Sequence, residues 1–333
     1  MSKAWIRCAV VAVPLLFGSC ATADPDVAST APELTTLVDV PIATTLPVAT
    51  TTPPVLPSPP PPDLCDSYAE PVTRGVVRLA EAIEVSGIAA SRAHPGIIWM
   101  HNDSGGGPVV FAIDESGAGQ GVFEIDVLAF DWEDMAIGPG PDPSRDYLYL
   151  GDIGDNLHFR PVITVYRISE PAPNPGGGLI ADVAAFNLRY PNPAPDAEAL
   201  FVDPVTGDIL IVTKGESGEP SVVYRAPASQ LADGETTNLI EVGRFELAPG
   251  TFVTAADISS DGSAVVFRGY NEVWIWNRLD VDFVTTFADE PCRAPSTAEV
   301  QGEAITFAPD SYSYFTVSEG SEPDINYVEN ISP

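Results

Sequence analysis

The sequence has almost no lysine. Lys3 and Lys214 are the only two in 333 residues, and Lys+Arg total 15 against 47 Asp+Glu, a formal net charge of -32. A surface so poor in positive charge repels nucleic acid and anionic lipid headgroups, so neither is expected as a partner. It favours solubility and cation capture instead. Cysteine is scarce too: neither Cys65 nor Cys292 has a second Cys or clustered His beside it, which argues against zinc. Only three histidines are present, and His101 is the one candidate acid/base group. No segment carries a long apolar pattern of period 3.6, so helices should be few. Ser86-Gly87-Ile88 lacks a nucleophile-elbow context, and no helix or Lys follows Ser104-Gly105-Gly106-Gly107 as a phosphate loop would require.

What is present begins with an export leader over residues 1–19. Lys3 and Arg7 form its positive end, and Cys8–Gly18 is apolar but too short to span a bilayer. Phe17-Gly18-Ser19-Cys20 resembles a bacterial lipobox, which implies lipidation of Cys20 and an extracytoplasmic, membrane-anchored protein. Ala21-Thr22-Ala23 offers a competing cleavage site and plain secretion. Residues 20–63 read as a disordered Thr/Pro-rich tether. Residues 21–63 hold 11 Pro and 9 Thr with no Lys or Arg, and so stiff a chain reaches about 130 Å. In an oxidising compartment Cys65 and Cys292 most simply form a disulfide.

Residues 64–333 are organised around Asp131-Trp132-Glu133-Asp134-Met135-Ala136-Ile137. Related versions start at Ser86, Asp196, Ala255 and Gln301, each leading into a short apolar strand followed by a turn and further strands. A repeat of about fifty residues made only of short strands predicts an all-β fold, a β-propeller with one sheet per blade. The markers Gly87, Glu133, Glu198, Asp257 and Glu303 lie 46, 65, 59 and 46 residues apart. They count five blades. Six is the alternative, because the 65-residue interval has room for an extra element near Pro171–Ala181, although its Gly and Pro read as a loop. Expected outer strands are Gly121–Asp126, Ala185–Tyr190, Val242–Leu247 and Asp282–Phe287. The last blade lacks one, and Gly75–Leu79 is expected to supply it, closing a monomeric ring. Cys65 and Cys292 flank that closure.

In such a blade the start of the inner strand lies beside the end of the second. Glu133, Glu198, Asp257 and Glu303 stand at the starts. Asp103, Asp152, Lys214 with Glu216, Arg268 and Glu319 stand at the ends. All should converge on one mouth of the central channel. Converging carboxylates repel unless protonated or neutralised by a cation, and an oxygen-only set suits calcium. The expected metal ligands are therefore Glu133, Glu198, Asp257, Glu303 and Asp152. The same acids can instead bond the amides of neighbouring blades and set their register. Lys214 and Arg268 would dock an anionic or polyhydroxyl group, unless Lys214 pairs with Glu216 or Glu198. His101, Asp103 and Trp132 complete the candidate ligand set, Trp132 by stacking a sugar.

The Asp-x-Glu-Asp/Ala-Leu/Met pattern at Asp131–Met135 and Asp196–Leu200, with Gln301-Gly302-Glu303-Ala304-Ile305, resembles inner-strand motifs of phytase-like and TolB-like bacterial propellers. Leu148–Asn156 also resembles exported propellers of high-GC Gram-positive bacteria. In the phytase relatives such acids hold calcium that bridges substrate phosphates, which implies Glu133, Glu198 and Glu303 as ligands here. The leading expectation is a calcium-stabilised, exported binding protein for a cell-envelope ligand or protein partner. The alternative is an enzyme, a metal-dependent phosphoesterase or a carboxylate-based hydrolase of envelope polymers.

Overall fold

The computed structural model describes residues 54–57, 59–61, 64–193, 195–248 and 250–332. The expected leader, Cys20 and nearly all of the expected tether lie outside these residues. The described chain is a five-blade β-propeller. In order from channel to rim, blade I holds strands Val85–Ala90, Ile97–Asn102, Val109–Asp114 and Gly119–Ile125. Blade II holds Trp132–Pro139, Asp146–Asp152, Val162–Ser169 and Val183–Arg189, and blade III holds Ala197–Val202, Ile209–Thr213, Ser221–Ala226 and Ile240–Phe245. Blade IV holds Ala255–Ile258, Ala264–Arg268, Val273–Asn277 and Cys292–Ala294. Blade V takes Gly302–Phe307, Tyr314–Ser318 and Asp324–Val328 from the C-terminal end and its fourth strand, Val72–Val76, from the N-terminal end.

The strands of the inner two rings are buried on both faces because each blade is packed on both sides. The core is correspondingly divided into five clusters, one for each contact between adjacent blades. A ring held this way has no terminal interface.

The count of five blades holds, and two strand assignments need correction. The closing strand is Val72–Val76, displaced from Gly75–Leu79, because Val77 is withdrawn into the core between blades I and V. The 65-residue interval hides no sixth blade. Its Gly178–Ile180 pairs in parallel with Phe123–Ile125, the outer strand of blade I. Asp282–Phe287 is not an outer strand either: Phe283–Thr286 is a short helix, and Cys292–Ala294 takes the outer place. Asp282 caps that helix by accepting a hydrogen bond from the Val284 amide, at 3.0 Å. Phe283 and Phe287, four residues apart, both face the core between blades III and IV, a helical spacing.

These segments share a rule that the strand count alone hides. In each blade the stretch leading to the outer strand reaches back to cover the outer strand of the blade before it. Gly178–Ile180 covers blade I and Thr236–Asn238 covers blade II. The helix Phe283–Thr286 and Phe287 pack on blade III, with Phe287 against Gly243. Leu64–Asp66 lies at blade IV, where Cys65 is disulfide-bonded to Cys292 with a Cα–Cα distance of 6.0 Å. The hairpin of blade I covers blade V: Val76 and Arg78 donate amide hydrogen bonds to the carbonyls of Ser116 and Gly117, at 3.3 and 3.0 Å. Gly117 has φ 84°, and a Cβ there would stand 1.8 Å from the Val76 carbonyl oxygen, so only glycine fits. Covered edges cannot recruit a foreign strand.

The disulfide joins residues 227 apart. Replacing both cysteines with serine should lower unfolding stability by about 2–5 kcal/mol, read as a lower denaturant midpoint. An unchanged midpoint would show that the non-covalent seam suffices.

Candidate functional site

The inner and second strands meet at one mouth of the channel through the pairs Val85–Asn102, Trp132–Asp152, Ala197–Thr213, Ala255–Arg268 and Gly302–Ser318. In four blades the register shifts one residue after that pair. Ser86, Glu133, Glu198 and Glu303 are the extra residues, each occupying a β-bulge. A bulge re-aims the side chain it carries, and the three glutamates are brought close enough to repel: Glu133 feels Glu198, and Glu198 feels Glu303. All three are buried.

Two aspartates that the repeat carries two residues earlier join them. Carboxylate oxygens of Asp103, Asp131 and Glu133 lie within 4.8 Å of one another. Gly154 makes this approach possible, since a Cβ there would be 2.0 Å from Glu133 Oε1 and 2.6 Å from Asp131 Oδ2. Asp196 stands in blade III where Asp131 stands in blade II. Its Oδ1 accepts the Asp155 amide at 2.7 Å, while Oδ2 is buried with no hydrogen-bond partner, 3.9 Å from Lys214 Nζ. Lys214 is bound to Glu198 Oε1 at 2.5 Å, not to Glu216, which faces His158. Gln301 Nε2 donates to Glu303 at 3.0 Å. Glu84 and Glu319 extend the acidic lip beside Asp103.

Burial dominates the electrostatics of this cluster. It drives Asp131 up to about 6, with Asp103 adding repulsion. It drives Glu303 up to about 7 and Glu198 up to about 8, the latter in spite of Lys214. Glu133, shielded from water and facing Glu198 and Asp103, is held well above the usual carboxylate range. Ionising these carboxyls together is therefore costly.

Other expected site residues are elsewhere. Blade IV has no bulge, so Asp257 falls two positions deeper than Glu133 does and bonds the neighbouring blade: it accepts from Phe307 N at 2.8 Å and Thr306 Oγ1 at 2.9 Å. Asp152 is used up locally, accepting from the Phe130 and Asp131 amides and from Arg160 at 2.6 Å. Arg268 is buried against Glu299 between blades IV and V. His101 lies in the core with its edge to Trp132, Nδ1 2.9 Å from the Asn102 carbonyl and burial holding its pKa down. Trp132 is itself 1% exposed, packed between blades I and II, where no sugar reaches it.

Asp134 is the residue whose role the sequence reading missed. Fully buried, it accepts amide hydrogen bonds from Leu200 of blade III at 2.9 Å and Ala256 of blade IV at 3.1 Å, besides Met135 at 2.8 Å. Asp131 and Asp196 were foreshadowed by the repeated Asp-x-Glu. Nothing in the repeat marks Asp134, since its equivalent in blade III is Ala199. No protein-family model matches the chain, and no curated protein matches it closely enough to count as a relative.

The raised carboxyls set a pH dependence with a definite sign. Their folded pKa values exceed unfolded ones, so their contribution to stability is full below about pH 4 and is lost as pH rises through the values near 6, 7 and 8. In EDTA the melting temperature should fall between about pH 5 and pH 8. A flat or rising profile would contradict the buried acidic cluster.

Proposed function

We propose that the protein is an exported binding protein whose acidic mouth holds calcium and faces a ligand of the cell envelope, a polymer or a partner protein. The observation that carries this is the convergence of Asp103, Asp131 and Glu133. Ligands of one calcium ion lie 2.3–2.6 Å from it and hence up to about 5 Å apart, so these three oxygens fit a single ion. All donors are oxygen, and the unpartnered Asp196 Oδ2 adds a buried acceptor in the same cluster. Glu198 and Glu303 stand nearby, as the likeness to phytase-like and TolB-like propellers implies, but Glu198 is engaged with Lys214 and Glu303 with Gln301. Calcium would supply positive charge and open coordination positions for ligand oxygens. The chain's own residues fix the rest: Gly154 lets the two blade II acids approach the loop, and Lys214 neutralises Glu198.

Phosphoester hydrolysis is the weaker reading. Phosphate needs free cations, whereas Lys214 is paired with Glu198 and Arg268 with Glu299. Location rests on the leader and the Phe17-Gly18-Ser19-Cys20 resemblance, with the Thr/Pro stretch as spacer between a lipid anchor and the propeller.

Two measurements test this. Calcium added to EDTA-treated protein should raise the melting temperature saturably, with a gain of about 2.7 kcal/mol at a hundred times Kd, and Glu133→Gln should remove most of the effect. Absence of a calcium-selective shift would leave the acids a structural role alone. Intact mass of membrane-extracted protein should show a lipid adduct on a chain beginning at Cys20, and a chain beginning at Asp24 would refute the anchor.

A further inference from the structure

Beside the acidic mouth lies an exposed apolar rim made by two loops of blade II. Leu128 and Phe130 come from the segment entering the blade and are 88% and 59% exposed. Leu157 and Phe159, from the loop after the second strand, are 78% and 57% exposed. The two phenyl rings meet edge to face with centroids 6.2 Å apart. Four large apolar side chains left in water so close together mark a contact surface.

The loops that present them are held by a dense set of hydrogen bonds. Arg160 donates to the Gly154 carbonyl at 2.6 Å and to Asp152 Oδ1 at 2.6 Å. Asp152 in turn holds the Phe130 and Asp131 amides, at 2.9 and 3.2 Å. Asp155 accepts from the Phe159 and Arg160 amides, at 3.0 and 2.6 Å, and its own amide is anchored on Asp196. Tyr166 donates to the Leu128 carbonyl at 3.0 Å. Buried and half-buried polar groups are thus spent on fixing a segment whose apolar tips touch little else. A surface held in advance loses little freedom on binding.

The surroundings decide what fits it. Phe130 is next in sequence to Asp131, and Asp103, Glu84 and Glu319 continue the acidic border. His158, next in sequence to Leu157, lines a cavity of about 240 Å³ with Asp196, Glu216, Glu219 and Arg244, the last of these paired with Glu241. An anionic polymer is repelled by such a border, and one bound divalent ion leaves the lip negative. A sugar ring finds no flat platform, since the phenyl rings are nearly perpendicular at 86° and the Arg160 guanidinium lies 4.7 Å from the centre of Phe130. We propose that the rim of blade II docks a polypeptide segment of a partner protein in which large apolar residues alternate with lysine or arginine. The apolar residues cover Leu128, Phe130, Leu157 and Phe159, and the cations answer the acids on either side. This rests on the reading of the mouth as the ligand-facing end of a binding protein, and it names the partner's chemistry.

The test uses the full mature chain and three fluorescent synthetic peptides of equal length: lysine with leucine, lysine with serine, and glutamate with leucine. The lysine–leucine peptide should bind at least about tenfold tighter than either of the others. Phe130→Ser with Phe159→Ser should reduce it to the level of the lysine–serine peptide. Leu128→Ser with Leu157→Ser, which leaves the Arg160 stack intact, should do the same. Equal binding of the two lysine peptides would overturn the proposal in favour of charge alone. Equal binding of the two leucine peptides would overturn it in favour of an unselective apolar patch. So would self-association abolished by the rim variants without any peptide preference, or flotation with neutral lipid vesicles lost in the same variants. Each titration is run in EDTA and in calcium. Peptide selectivity without a calcium-dependent melting shift would sink the metal reading alone, and the reverse would sink the rim alone.

Discussion

A closed circuit of hydrogen bonds through the channel ties the five blades to one another. Ser86 of blade I donates to the Glu133 carbonyl of blade II. Asp134 of blade II receives amides from blades III and IV, and Asp257 of blade IV receives the Phe307 amide and the Thr306 hydroxyl of blade V. Thr306 in turn accepts from the Ala90 amide of blade I, at 3.1 Å, completing the turn. Each partner is buried, so none can be exchanged for water without cost. Apolar packing between blades is tolerant of small slides. These carboxylates are not, because a one-residue slip would leave a buried acid facing no donor. Register in the ring is therefore fixed by polar groups and stability by the apolar ones.

The mouth obeys the opposite economy. Asp134 and Asp257 sit in the channel with several amide donors each, whereas Glu133 and Asp196 Oδ2 sit at its opening among other acids. The same residue types thus serve two ends within a few residues of sequence. Carboxylates that are satisfied by backbone hold the fold together. Those left facing one another are costly to ionise together and gain from anything that brings positive charge. That separation is what makes the mouth the candidate site and the channel interior its support.

Much of this was legible in the sequence because a propeller repeats its hydrophobic pattern, and each strand start announces itself with the same small or acidic step. Five blades and the N-terminal closure follow from that pattern, and the Cys65–Cys292 bond from two cysteines that flank the closure. The convergence of Glu133, Glu198 and Glu303 follows from hairpin geometry. What could not be read was phase. A bulge adds one residue without changing composition, so Asp257, in the one blade without it, matches Glu133 in the repeat although it lies two positions deeper. Arg268 and Trp132 were misplaced for a related reason. Strand ends show which level a residue occupies along the channel but not whether its side chain turns to solvent or into the seam between blades. The segment Asp282–Phe287 has the length of a strand, and only its capping aspartate and paired phenylalanines mark it as a helical turn.

The position of Cys65 also determines how the domain answers a pull. The backbone N-terminal to Cys65 leads into this residue, which is bonded to blade IV. Tension arriving along the chain passes into Cys292 before it reaches Val72–Val76, the strand that completes blade V. That strand, contributed from the opposite end of the chain, is thereby taken off the line of force. A domain tugged from its N-terminal side would be drawn as a body, with the seam unstressed.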